Sequence, residues 1–326
     1  MNQNIQKLSE KGLLNNEQQT AIRDYFSLGV FSVRNELLFL MYLSVLLFTS
    51  GVGVLIYKNI DTIGHSIIIL ILFALIVGCY YFCFKKSKGF TTQDIDFDNP
   101  IYNYLVLLAT ILSCTFMGYI QYQYHIFGKQ FEISILISAF IALGTAYYFN
   151  NKSALSIGLT ALATSIGITL TPQTLIDNEV YWNQNLSFYG LILGLMIILW
   201  ANYSQRISLK KHFDLVLITF ALHLMSICCI AGLINDYWFL FVFIMAGSTY
   251  YFYRKSFEIQ AVSIYVFTLL YAYIGFNIFM ARIIDKLDLP DFFEFLFILL
   301  PFYFSGSIAL FIMAIKKFNK KTNDSL

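Results

Sequence analysis

One ionisable side chain lies deep within an apolar stretch of this sequence: His223, in the middle of the block spanning 213–233. An imidazole at that depth can relay protons, but a relay needs a second titratable group nearby. No Asp or Glu accompanies it, since Asp214 and Glu132 fall near the ends of their blocks. A neutral ring hydrogen-bonded to a neighbouring helix is therefore the favoured reading. Asn277 is another lone polar group in an apolar block. Thr160 and Thr164 belong to a segment whose small and polar residues (Ser153, Ser156, Thr160, Ala163, Gly167 and Thr171) recur every three or four positions, and such a stripe can line a polar path. Its favoured role is close helix packing, which puts this segment at the bundle centre and turns Leu159, Ile166 and Leu170 towards lipid or looser contacts. Gln121, Tyr124 and His125 close a Gln-Tyr-rich run, where they can bind a polar ligand or form an interfacial aromatic girdle, the second being favoured.

Other reactive types form no recognisable constellation. Cys79, Cys83, Cys114, Cys228 and Cys229 all sit in apolar blocks, where thiols behave as small hydrophobes. The adjacent pair Cys228-Cys229 lacks a nearby His or Asp at metal-ligand spacing. Asp94, Asp96 and Asp98 alternate in the loop 89–100, without the central Gly and closing Glu of a calcium loop, and read as a solvated acidic segment. Protease, hydrolase and phosphate-loop motifs are missing. An enzymatic role is accordingly the weakest reading, and no cofactor is expected.

The elements that would position these residues follow from composition. Hydrophobic residues make up 58% of the 326 and charged residues 12%, about half the charge of an ordinary soluble domain. The apolar residues come in blocks long enough to cross a hydrocarbon core of roughly 30 Å. Ten are read, at 37–57, 66–84, 102–122, 131–149, 154–171, 186–203, 213–233, 237–253, 259–280 and 292–315. Lipid leaves backbone groups no partner outside the segment, so each block is expected to be a helix. The predicted fold class is all-α, a polytopic membrane bundle of about ten transmembrane helices. With the N-terminus inside, 17 of the 21 lysines and arginines fall on the cytoplasmic side, and only Lys58, Lys129, Arg282 and Lys286 fall outside. This asymmetry predicts cytoplasmic N- and C-termini.

Residues 1–36 are expected to form a cytoplasmic helical hairpin, 37–316 the membrane domain, and 317–326 a basic cytoplasmic tail. Glu10, Glu17 and Asp24, with no apolar stretch before Leu37, read against a cleavable signal peptide. Such a hairpin is too small to fold alone and is expected to pack on the membrane domain or on a protein partner. Dispersed basic residues give no nucleic-acid face. A further pattern suggests parallel two-helix repeats: Gly78, Gly144 and Gly247 each precede a Lys-Ser pair by eight residues, with an aromatic pair between. Gly190 and Gly194 form a GxxxG pair expected to pack helices closely.

The amphipathic opening from Leu8 to Phe26, the first span ending Gly51-Val-Gly53 through Tyr57 and Asn59, and the Gln-Tyr-His run ending at His125 resemble a bacterial family of membrane proteins, domain of unknown function 2157. The resemblance implies a bacterial inner-membrane location and a multi-helix architecture, and carries no reaction or binding residues. Two functional readings remain open. One is a transporter or export component for a small or lipid-like solute. The other is a non-catalytic scaffold or sensor that binds a partner through its N-terminal hairpin. A polar cavity lined by the fifth-helix stripe would favour transport, and a solid apolar core would favour the scaffold.

Overall fold

A computed structural model describes residues 18, 33–94, 97, 99–170, 184–287 and 290–324. Expectations for residues 1–32 other than Gln18, which cover most of the hairpin, and for the loop 171–183 fall outside them. The described residues form ten α-helices: α1 (Arg34–Ile63), α2 (His65–Lys86), α3 (Ile101–Tyr124), α4 (Phe131–Phe149), α5 (Lys152–Leu170), α6 (Gln184–Arg206), α7 (Asp214–Ile234), α8 (Trp238–Ile259), α9 (Val262–Leu287) and α10 (Pro290–Asp324). A single 3-10 turn, Lys211–Phe213, leads into α7. Each corresponds to one expected block. The chain divides into a unit ending at Val52 and a larger one from Gly53 onward. The first is described by Gln18, Val33 and the opening of α1, whose Leu37, Phe39 and Leu47 are exposed.

Eight of the ten helices are long and apolar enough to cross a membrane; α5 is a shorter apolar helix and α8 does not qualify. The shortfall in α8 has a visible cause: the run from Gly247 through Tyr253 and the charges Arg254, Lys255 and Glu258 dilute one half of it. Neighbours nevertheless carry both helices across the bundle. α5 runs antiparallel along α4, with Ser165 donating to the Glu132 carbonyl at 2.9 Å and Gly158 seated on Leu143. α8 runs antiparallel along α9, with Trp238 against Phe279 at one end and Tyr253 against Tyr265 at the other. A polytopic membrane helix bundle is thus the architecture.

Its centre is α7, not α5. Leu217, Ile218, Ala221, Leu222, Cys229 and Leu233 are buried along α7 and join a single apolar core with residues of α4, α5, α6, α8 and α9. Over its first half the expected orientation of α5 is reversed, while Ala163 packs against the core as expected and the side chains of Leu170 and Thr171 lie outside the described residues. Leu155 and Leu159 are buried with Gly158 on the inner face, while Ser156, Thr160 and Thr164 are exposed. These hydroxyls donate to carbonyls one turn back, Lys152, Ser156 and Thr160 respectively, at 2.8–3.2 Å. A hydroxyl satisfied by its own helix needs no partner helix, so larger apolar side chains take the inner face. A Cβ added at Gly167 would meet nothing within 4 Å, unlike one at Gly158.

The GxxxG pair does make the close contact expected of it. A Cβ at Gly190 would lie 2.3 Å from the Cys228 sulfur, and one at Gly194 would lie 2.3 Å from Met225 Cγ. The glycines of the repeat pattern behave differently: Gly78, Gly144 and Gly247 all have open space around a notional Cβ. Their Lys-Ser pairs also occupy different local structures. α2 ends at Lys86, Lys152 opens α5, and Lys255-Ser256 lies inside α8. What two of the copies share is a corner. Asn150 and Gln260 both cap their helices in the left-handed region, and the next residue bonds back to Ala146 or Ser256. That geometry reverses a chain within one or two residues.

Candidate functional site

Three chain reversals meet at the lysine-rich end of the larger unit. In the first, the loop after α2 folds over the corner after α4. Asn150 sits at φ 59°, which an Asn tolerates better than most side chains. Its amide nitrogen donates to Thr91 Oγ1 at 3.0 Å and to the Gln93 carbonyl at 3.1 Å. Asn151 caps α5, accepting from the Ala154 N–H at 2.8 Å, and donates to the Asn103 carbonyl at 2.9 Å. The α6–α7 corner brings Lys210 into this assembly. Lys210 is only 1% exposed, with its ammonium bonded to Asn150 Oδ1 and 4.8 Å from the Phe90 ring centroid. Its backbone N–H donates to the Thr92 carbonyl at 3.0 Å. Burial pushes the Lys210 pKa down, and nearby Asp94 works against that shift. Asp94 also pairs with Lys152 at 3.5 Å and lies 3.6 Å from His212.

Beyond Phe213 the polar layer continues into α6, α7 and α8. Gln205 bridges two buried charges, donating to Asp214 Oδ2 and accepting from Lys255 Nζ at 3.1 Å. Lys255, 4% exposed, also holds Glu258 at 2.7 Å. Asn202 donates to the Tyr251 hydroxyl at 3.1 Å. A groove of about 640 Å³ opens beside this network, lined by Asn202, Tyr203, Gln205, Arg206, Lys255 and Glu258. Burying an ionised group without partners costs several kcal/mol. Three such groups, each with a specific partner, therefore mark this end as the most polar and most constrained part of the described structure.

The residues singled out from sequence do not converge there, nor on one another. His223 Nδ1 meets the Tyr271 hydroxyl at 2.8 Å, and its ring packs edge-on against Phe267, so it ties α7 to α9. Asn277 accepts from the Tyr303 hydroxyl at 3.0 Å and donates to the Tyr273 carbonyl at 2.7 Å, tying α9 to α10. Gln121 is 1% exposed and closes the α3–α4 loop, accepting from the Phe127 N–H at 3.0 Å and donating to the Gly128 carbonyl at 2.9 Å. Tyr124 is exposed and reaches Ser66 at 3.4 Å, while His125 caps α3 in the left-handed region. Thr160 and Thr164 lie on the exposed face of α5.

The polar end was missed because Lys210 and Lys255 read as ordinary interfacial charges. Two signals pointed to it: the dipeptide Asn150-Asn151 between apolar blocks, and the run Lys210 to Asp214 immediately before another. Among the described residues no group of His, Cys, Asp and Glu is arranged to hold a metal ion.

No curated protein and no solved structure matches the chain. Residues 6–155, which include the Asn150-Asn151 corner but precede Lys210 and Lys255, match the family model described as Predicted membrane protein (DUF2157), and over that stretch the chain is similar to this family of membrane proteins.

Proposed function

We propose that the protein is a non-catalytic membrane scaffold or sensor, which presents its lysine-rich end and its N-terminal hairpin to a cytoplasmic protein partner. The observation that carries this reading is the filled centre of the bundle. α7 buries Leu217, Ile218 and Leu222 among apolar side chains of its neighbours, including Leu155, Ile197 and Phe241, and the buried charges gather at one end instead of along the axis. In this reading that end faces the cytoplasm of a bacterial inner membrane, as the partition of lysine and arginine favours, and both termini lie on that side. The groove beside Gln205 and Lys255 supplies hydrogen-bonding groups of both signs, which suits a folded polar partner. The competing transport reading needs a polar route through the bundle. Its candidate residues, Thr160, Thr164, His223 and Asn277, instead serve separate helix contacts or face outward.

Photo-crosslinking in cells tests the proposal. A benzophenone side chain in place of Asn202 or Glu258 should capture one discrete protein, and one in place of Thr164 should not. Deleting residues 1–32 should weaken the capture. Adducts with lipid alone at both groove positions would refute the docking role.

A further inference from the structure

Among its described side chains, α10 touches the rest of the larger unit at two levels with a gap between them. At one level Tyr303 stacks on Tyr273 and donates to Asn277, and Ser307 donates to the Tyr273 hydroxyl at 3.2 Å. At the other, Phe318 is 1% exposed and packs between Phe257 and Tyr265, with ring centroids 4.6 and 4.4 Å away. Both sets of contacts place α10 antiparallel to α9. Between them lies an apolar cleft of about 440 Å³ whose walls include Leu269, Leu270, Ile308, Phe311, Ile312 and Ala314. Aromatic anchors at each end keep the two helices from closing over it.

The cleft stops at Ala314, and two exposed lysines, Lys316 and Lys317, follow immediately, with Lys320 one turn further. An apolar slot between membrane helices that ends in a cationic cluster has the two-part chemistry of an anionic phospholipid. The acyl chain replaces lipid-exposed void with contact, and the phosphate meets the ammonium groups at the leaflet surface. We propose that the α9–α10 cleft is a binding site for one anionic phospholipid, with an acyl chain between the helices and its phosphate at Lys316 and Lys317. A zwitterionic lipid fits the slot equally but gains little from the lysines, so the charge decides selectivity. This site lies apart from the α6–α8 groove and does not depend on a docked protein.

Native mass spectrometry of the full chain in mild detergent provides the test, with phosphatidylglycerol and phosphatidylcholine of identical acyl chains as probes. One phosphatidylglycerol should remain bound per chain, at least about tenfold more tightly than phosphatidylcholine, given the worth of two lysines near a membrane anion. Lys316→Gln with Lys317→Gln should erase that preference; both residues are exposed, so folding is preserved. Ala314→Trp should displace both lipids by filling the slot. Equal retention of the two lipids by the unmodified chain overturns the proposal, as does undiminished retention in the Ala314→Trp variant. A dimer that Ala314→Trp dissociates would also overturn it, because the occupant would then be a second copy of the chain.

Discussion

Asn150→Leu should destabilise the protein by about 3 kcal/mol or more, whereas Lys210→Met should cost far less. The asymmetry follows from what each change leaves behind. Leucine at position 150 removes the acceptor bonded to the Lys210 ammonium, on a side chain that is 1% exposed; leaving a buried charged donor without that bond costs about 1–3 kcal/mol or more. It also forces a branched side chain into the left-handed region at φ 59°, adding about 1–2 kcal/mol. Methionine at position 210 removes the charge itself and keeps most of the side-chain volume. Asn150→Gly separates the two contributions, since glycine accepts the backbone conformation and still abandons the lysine. Apparent unfolding temperatures in detergent should therefore rank Lys210→Met closest to the parent chain, then Asn150→Gly, then Asn150→Leu. Combining Asn150→Gly with Lys210→Met should recover part of the Asn150→Gly loss.

Gly232→Val is the second change expected to have a large effect. A Cβ there would fall 2.2 Å from Cδ1 of Phe241, a ring that is fully buried and itself packed on Phe188 at 5.0 Å. Gly232 lies in the last turn of α7, where replacing glycine gains at most about 1 kcal/mol of helix propensity. Overpacking of a dense core costs about 1–3 kcal/mol, occasionally more, and here the obstacle is the body of an aromatic ring. Net destabilisation is expected, and Phe241→Leu in the same chain should relieve part of it, giving a measurable coupling between the two sites. Gly247→Val, where a Cβ meets nothing within 4 Å, should leave thermal stability in detergent unchanged or slightly raised. Strictly additive effects of Gly232→Val and Phe241→Leu would show that the α7–α8 contact is looser than described.

The ten helices were legible because lipid permits no other solution for long apolar blocks, and Gly190 with Gly194 were legible because small residues four apart form a groove on any helix. Which face of α5 is buried was not legible. Serine and threonine hydroxyls can bond within their own helix, so the stripe that includes Ser156 and Thr160 marks a face without saying which way it turns. Gln121 resembled a ligand group because sequence does not reveal that a loop six residues on will take up both ends of its amide. Lys210 and Lys255 were hidden by the same ambiguity: a lysine at a helix end reads alike whether its ammonium reaches water or an asparagine. Those two burials depend on corners that bring distant segments together, Asn150 with Lys210 and Gln205 with Lys255, and local pattern carries no trace of such pairings.

A filled core whose buried charges, Lys210, Asp214 and Lys255, gather at one end is tested most directly by cysteine accessibility. In a chain whose five native cysteines have been replaced, single cysteines at Ala221 and Leu222 of α7, at Asn202 of the groove and at Thr160 of α5 would be exposed to a small charged thiol reagent added to open membranes. Asn202→Cys should react rapidly, and Ala221→Cys and Leu222→Cys should stay unmodified until the protein is denatured. Thr160→Cys, on the outer face within the bilayer, should also resist a charged reagent. Rapid modification of Ala221→Cys or Leu222→Cys in the folded protein would mean that water reaches the bundle centre, contradicting the filled core and reviving a transport path.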